Sequence, residues 1–243
     1  MEKSTEEYRN YWDEKVQQDG DYPEYLSPGG NHHLFKAFTP IIQHLPKNKK
    51  VLDIGCGSGF STYFYYPFCT QLVGVDYSAE AIKKATEKYP HITFVQSDVT
   101  ALPFKDREFD VIICQGVLHH LIKSTNRLSS NLVYNAIQEI DRVGKGLILV
   151  DEANALNPLR RYKERIYYPT IHRNEQSYMF RTWKKIFHEF GYSITHLEYH
   201  TFIPTSFSQK MITIAKPLEG ILESFPIINK LAGGIFFVCE KNK

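Results

Sequence analysis

Short apolar, strand-like runs alternate with helical stretches between residues 50 and 152, which predicts an α/β fold with a largely parallel sheet and helices on both faces. Three observations carry this expectation. Five apolar runs, 51–54, "QLVGVD" (71–76), "ITFVQSD" (92–98), "FDVIICQG" (109–116) and "GLILVDE" (146–152), are bounded by glycine or turn residues, as buried strands are. The first of them leads into "VLDIGCGSG", with glycine at 55, 57 and 59. Strand texture returns late in the chain, in "SITHLEYHTFIP" (193–204) and "GGIFFVCEK" (233–241), so residues 1–243 read as one domain with insertions.

Taken in order, residues 3–18 read as a helix with Tyr8, Tyr11 and Trp12 on one side. "DGDYPEYLSPGGN" (19–31) has the chemistry of turns. "HHLFKAFTPIIQHL" (32–45) reads as a helix with a proline bend. Residues 1–49 form a helical cap on this reading, residues 50–152 a ligand-binding core, and residues 153–243 acceptor-side insertions and the final strands. Within the core, helices are expected from Phe60 to about Phe68, over 79–89 with Ser78 as N-cap, and over 128–142. "TWKKIFHEFGY" (182–192) reads as a helix ended near Gly191, and 206–232 as an apolar, helical excursion.

The 243 residues are 42% hydrophobic and 23% charged, an ordinary globular composition. A formal net charge of +2 is too small to point to nucleic acid by itself. Cys56, Cys69, Cys114 and Cys239 form no CxxC pair, so reduced thiols and a cytoplasmic location are expected, with no metal site. "MEKSTEEYRNYWDEK" lacks the apolar core of a signal peptide, and no run reaches the roughly 18 apolar residues that span a bilayer.

A glycine loop between a strand and a helix lets backbone approach a ligand and tolerates positive φ. The helix start that follows offers unpaired N–H groups. Phosphate, dinucleotide and adenosyl ligands all use such loops. A mononucleotide loop needs GxxxxGK[ST], but Phe60 and Ser61 follow Gly59. The dinucleotide fingerprint is GxGxxG, whereas the spacing here is GxGxG. Asp76 ends the second strand, where an acid can accept from both ribose hydroxyls. Asp98 ends the third, where a carboxylate can accept from an adenine amino group.

Together, "VLDIGCGSG", "VGVDYS", "SDVTALPF", "FDVIICQGVLHHL" and "IQEIDRVGKGLILVDE" resemble the class I S-adenosylmethionine-dependent methyltransferases, and more narrowly their small-molecule, type 11-like branch. The resemblance covers about residues 50–152. It implies a Rossmann-like sheet of seven mostly parallel strands with the last strand antiparallel. It also implies S-adenosyl-L-methionine as cofactor and S-adenosyl-L-homocysteine as product. The cofactor residues it implies are Asp53, Gly55, Cys56, Gly57 and Gly59 at the methionine end, Asp76 at the ribose and Tyr77 beside the adenine. Asp98 and Val99 would hold the adenine, with Gln115 and His120 at the end of the fourth strand. One departure is the "VGKG" turn (143–146), shorter than the family's usual "LKPGG".

The acceptor side is less determined. His119 and His120 are candidate catalytic residues, His119 first, because a neutral imidazole could take a proton as the methyl transfers. The competing reading makes the pair a shape element. Candidate substrate contacts are Tyr11, His33, Asp151 and Glu152, the two acids either binding an amine, acting as a base or pairing with arginines. "NPLRRYKERIYY" reads as a solvated basic face or as a dock for an anionic group. "KPLEGILESFPIINKLAGG" (216–234) is a packing face, a dimer contact, a lid or a membrane-surface contact. The first functional expectation is methyl transfer to a small, apolar or aromatic acceptor by a monomer or homodimer. The alternatives are an RNA methylase and a cofactor-binding module without catalysis.

Overall fold

The computed structural model describes residues 13–14, 16–17, 27–122, 127–162 and 177–242; the side chains of 127–131 lie outside that description. The described residues build a seven-stranded sheet from β1 (Lys49–Ile54), β2 (Cys69–Asp76), β3 (Thr93–Gln96), β4 (Phe109–Gln115), β5 (Gly144–Ala153), β6 (Tyr192–His200) and β7 (Gly234–Lys241). The order across the sheet is β3-β2-β1-β4-β5-β7-β6. Strands β1 to β5 pair in parallel, and β7 runs antiparallel to both β5 and β6. The carboxyl ends of the other six strands and the start of β7 therefore share one edge. The order steps away from β1 in opposite directions to β2 and β4, the arrangement that opens a ligand crevice in such sheets.

The central strands are buried on both faces, so they read as continuous apolar runs rather than as alternation. Their side chains divide by parity. Leu52, Ile112 and Cys114 pack on the face covered by α4 (Arg127–Val143) and α6 (Phe180–Glu189), around Ile137, Trp183 and Phe187. Val51, Val111 and Ile113 pack on the other face, under α1 (Pro28–His44) and α2 (Phe60–Tyr65), around Phe38, Ile41 and Tyr65. Helix α3 (Ala79–Lys88) links β2 to β3 and starts at Ser78, whose side chain accepts from the Ala81 N–H.

The structure revises several boundaries. "SPGGN" is not a turn but the start of α1: the Ser27 side chain accepts from Gly30 N–H, and Pro28 sits in the first turn, where its missing N–H costs nothing. "VGKG" is not a turn either. Helix α4 ends at Val143 and β5 begins at Gly144, with Gly146 at φ +109° where the register against β4 shifts. Strand β6 stops at His200, short of the expected Pro204, because Thr201 turns the chain with φ +71°. The proposed aromatic helix over 3–18 falls mostly outside the described residues. Its described part is helical at 13, 14, 16 and 17, with Val16 buried. Asp13 accepts there from Ser78 Oγ, tying this segment to the start of α3.

Candidate functional site

The loop after β1 is built by backbone. The N–H groups of Gly55 and Cys56 both donate to the Val75 carbonyl, at 2.8 and 3.0 Å, which anchors the loop to β2. Gly55, Gly57 and Gly59 all adopt left-handed φ, of 73°, 53° and 82°. At Gly55 a side chain is excluded twice, by φ and by Val117, whose Cγ2 would lie 2.5 Å from an added Cβ. Gly57 N–H donates to Asp76 Oδ2 at 2.9 Å, and Ser78 N–H donates to Asp76 Oδ1 at 2.9 Å. The glycine loop and the acid at the end of β2 are thus one unit, and burial raises the Asp76 carboxyl above its ordinary range.

Asp53 lies beneath the loop, 2% exposed, and accepts from Thr62 Oγ1 at 2.7 Å. Burial pushes its carboxyl up to about 7, with the Thr62 hydrogen bond opposing and the Asp76 charge adding. Cys56 is buried and its thiol is pushed well up by burial, as are those of Cys114 and Cys239, which removes the thiolate character that reactivity needs.

Further along the edge, Asp98 Oδ1 accepts from Thr100 N–H at 2.8 Å and Thr100 Oγ1 at 2.7 Å, a local turn that fixes the carboxylate's direction. Val99 beside it packs partly into the core. Gln96 Nε2 holds the Tyr77 carbonyl at 3.3 Å. Gln115, at the end of β4, accepts at Oε1 from Tyr65 OH at 2.7 Å, so a fully buried tyrosine aims its amide. Gly116 follows with φ +62°, and an added Cβ there would meet no atom within 4 Å. This is open space at the middle of the edge.

The turn after Gly116 is organised by Glu152, 2% exposed. Its Oε1 accepts from Val117 N–H at 3.1 Å and Leu118 N–H at 2.7 Å, and its Oε2 meets His119 Nδ1 at 2.7 Å. Burial pushes the Glu152 carboxyl up to about 7 against those hydrogen bonds. Both oxygens are therefore engaged with the turn, and His119, itself 9% exposed, is held against the acid. The His119 and His120 rings lie 4.1 Å apart between centroids.

Asp151, one residue earlier in β5, has a different environment. Its Oδ1 lies 2.7 Å from His200 Nε2, and His200 Nδ1 lies 2.9 Å from Thr201 Oγ1, all three residues being buried. With Nε2 donating to the carboxylate, Nδ1 accepts from the threonine hydroxyl. The imidazole lies against Gly234 of β7, where an added Cβ would come 2.2 Å from the ring. His33 of α1 stands 6.3 Å from the His200 ring. Burial chiefly, and the nearby His200, lower its pKa to about 4, so it is neutral at pH 7. Arg160 of the short helix α5 (Pro158–Tyr162) also acts on it electrostatically.

The sequence-derived candidates thus fall into two groups. Asp53, Gly55, Cys56, Gly57, Gly59, Asp76, Tyr77, Asp98, Val99 and Gln115 lie in or beside the carboxyl ends of β1 to β4. His33 and Asp151 come together at β5, while Glu152, His119 and His120 form the turn between the groups. Tyr11 lies outside the described residues, as does the basic stretch from residue 163 on. Thr62, Tyr65 and His200, which hold Asp53, Gln115 and Asp151, have no sequence signature, being separated from their partners by 9, 50 and 49 positions.

Residues 52–147 match the model of a methyltransferase domain family. The chain is 27% identical over 130 residues, 51% of its length and 44% of the relative's, to a probable S-adenosylmethionine-dependent methyltransferase, MT3114, of Mycobacterium tuberculosis. It is 28% identical over 155 residues, 59% of its length and 21% of the relative's, to the eEF1A lysine and N-terminal methyltransferase of Mus musculus. The chain therefore spans less than half the length of these curated relatives. Its fold is similar to that of magnesium protoporphyrin IX methyltransferase from Synechocystis with bound S-adenosylhomocysteine. That match has a TM-score of 0.63 and 14% identity and covers 98% of this chain and 100% of that one.

Proposed function

We propose, on the premise that this chain is a class I S-adenosylmethionine-dependent methyltransferase of the type 11-like branch, that it methylates an oxygen, carbon or nitrogen atom of a small, apolar or aromatic acceptor. The observation that carries the donor half of this reading is the coupling of the glycine loop to Asp76 through Gly57 N–H. Left-handed glycines bare the backbone at one end of the site, and a carboxylate joined to them is ready to accept hydroxyls at the other. Asp98 and Val99 fit the adenine, and Gln115, aimed by Tyr65, reaches the centre of the edge.

Bound there, S-adenosylmethionine supplies a methyl group already activated on a sulfonium. The chain's own task is then to orient the acceptor, exclude water and accept a proton where the nucleophile carries one. We assign that task to Asp151 and His33. His200 is a positioning residue: both ring nitrogens are engaged, and it fixes the direction of Asp151. His33 stays neutral above about pH 4 and so can share a hydrogen bond with an acceptor hydroxyl at pH 7. On this assignment His119 shapes the turn through Glu152 rather than acting as the base.

Calorimetric titration with S-adenosylhomocysteine tests the donor half. Binding is expected, weakened at least tenfold, about 1.4 kcal/mol, in Asp76→Asn. No binding by the unmodified protein would refute the reading. Incubation with methyl-labelled cofactor and cell extract, followed by mass spectrometry of the labelled product, tests the acceptor class; label on protein or RNA would overturn it.

A further inference from the structure

The excursion between β6 and β7 is built with its polarity reversed. Helix α7 (Gln209–Ser224) turns Ile212, Glu219 and Glu223, spaced i, i+7 and i+11, toward the protein. Ile214, Leu218, Ile221 and Phe225 project from the opposite side and are 52–71% exposed. Ile227, just past the helix, is 82% exposed. A surface helix ordinarily buries its apolar stripe. Here the attachment is polar instead. Glu219, 2% exposed, accepts from Phe202 N–H at 2.7 Å and Ile203 N–H at 3.1 Å and meets His32 Nε2 at 2.6 Å, while Glu223 pairs with Lys36 at 2.6 Å.

With both acids turned inward, the exposed charges left on residues 209–231 are Lys210, Lys216 and Lys230, all positive. Asn154 and Asn157 donate to the carbonyls of Lys230 and Leu231, at 2.9 and 2.8 Å, and tie α5 to the same region. Helix α5 adds exposed Leu159, Tyr162 and Arg161. Large apolar side chains exposed in this number on one excursion mark an interface. A second copy of the chain would set lysine near lysine. An anionic surface with an apolar interior accepts both components, side chains into the acyl boundary and cations at the headgroups.

We propose that α7 and the segment after it dock on an anionic phospholipid surface. Among the described residues no helix is long and apolar enough to cross a membrane, so the contact is interfacial. Glu219 and Glu223 hold α7 to the backbone of residues 201–203, directly after His200. Docking therefore sets the Asp151–His33 side of the edge near the lipid. If the chain methylates an apolar acceptor, a consequence that rests on the function proposed above, the acceptor is drawn from that surface.

Co-sedimentation of the full chain with vesicles tests this. Binding to phosphatidylglycerol-containing vesicles is expected to be at least tenfold tighter than to pure phosphatidylcholine and to weaken with added salt. The double substitution Ile221→Asp and Ile227→Asp is expected to reduce binding at least tenfold at an unchanged melting temperature, and Lys216→Glu about fivefold or more. Absence of binding by the unmodified protein would overturn the proposal, as would binding indifferent to the isoleucine substitutions. A dimer that Ile227→Asp dissociates would assign the face to a second copy. Vesicle binding needs no cofactor, so a failure of the methyl-transfer reading shows separately, as lost affinity for S-adenosylhomocysteine.

Discussion

At the β1–β2–β4 end of the edge the glycine loop is held through its backbone N–H groups: Gly55 and Cys56 donate to the Val75 carbonyl and Gly57 to the Asp76 carboxylate, and an added Cβ at Gly55 or Gly59 would come within 3 Å of a neighbouring side chain. At the β5–β7–β6 end the structure is held by side chains from distant parts of the chain. His200 reaches Asp151, Asn154 reaches Lys230, and Glu219 gathers His32 and the 202–203 backbone. A site lined by left-handed glycines tolerates almost no change in residue type there, because an added side chain would be strained and would fill the space through which a ligand reaches the backbone. A side-chain-built site can be rebuilt by substitution. The first suits a fixed ligand; on the function proposed above, the second suits the acceptor.

The largest effect is expected where a side chain is forced into the backbone-built end. Gly55→Ala combines left-handed φ with a Cβ inside the Val117 side chain. A loss of about 2–4 kcal/mol in stability is expected, together with at least a tenfold loss of S-adenosylhomocysteine affinity. Gly116→Ala is the matched control, left-handed but with no atom within 4 Å of its Cβ. It should cost only about 1 kcal/mol of stability, so a larger share of its effect would fall on ligand binding. Equal stability losses in thermal unfolding of the two variants would break the distinction drawn here.

At the side-chain-built end the sensitive point is Glu219. Replacing it with alanine leaves the part-buried Phe202 N–H, the buried Ile203 N–H and His32 without this acceptor. A loss of about 3 kcal/mol is expected. Affinity for S-adenosylhomocysteine should nonetheless stay within about twofold, because none of the candidate cofactor residues touches Glu219. Calorimetry showing a tenfold loss of affinity would mean that the two ends are mechanically coupled.

The same division decides what could be read from the sequence. Gly55, Gly57, Gly59, Asp76 and Asp98 stand at fixed offsets from strands, because backbone geometry imposes spacing, and the strands themselves announce double burial as unbroken apolar runs. The seven mostly parallel strands with the last antiparallel were implied by the family resemblance, whereas the order β3-β2-β1-β4-β5-β7-β6 is seen only in the structure. The start of α1 was hidden because Pro28 and the two glycines after it signal turns as readily as first helical turns, and only the Ser27 cap separates the two. His200 could not be found at all. Its partner lies 49 residues away, and the glycine that makes room for it, Gly234, is marked by nothing local. The apolar residues of α7 were legible as a stripe, but which side they faced depended on Glu219, an acid that no hydrophobic pattern would turn inward.

Glu152 sits at the seam, a side chain of β5 that holds the turn beside the open space at Gly116, and its titration is the smallest effect expected. Burial raises its carboxyl from an ordinary 4.5 to about 7. Below about pH 4.5 folded and unfolded chains both keep the proton. Between there and pH 7 the unfolded chain releases it while the folded one holds it, so stability falls as the pH rises, and the loss is complete above about 7. Glu152→Gln keeps an acceptor for Val117 and Leu118 but has no proton to release. Its melting temperature should fall less than that of the unmodified protein between pH 5 and pH 8, by roughly 5 °C. Some slope should survive in the variant, because Asp53 is raised to about 7 in the same direction and belongs to the other end; Asp53→Asn in the same background should flatten it further. Parallel curves for the unmodified protein and Glu152→Gln would take Glu152 out of the pH dependence and leave it to Asp53 and Asp76 at the glycine-loop end and to His33 at the other, whose lowered pKa acts in the opposite direction below about pH 6.5.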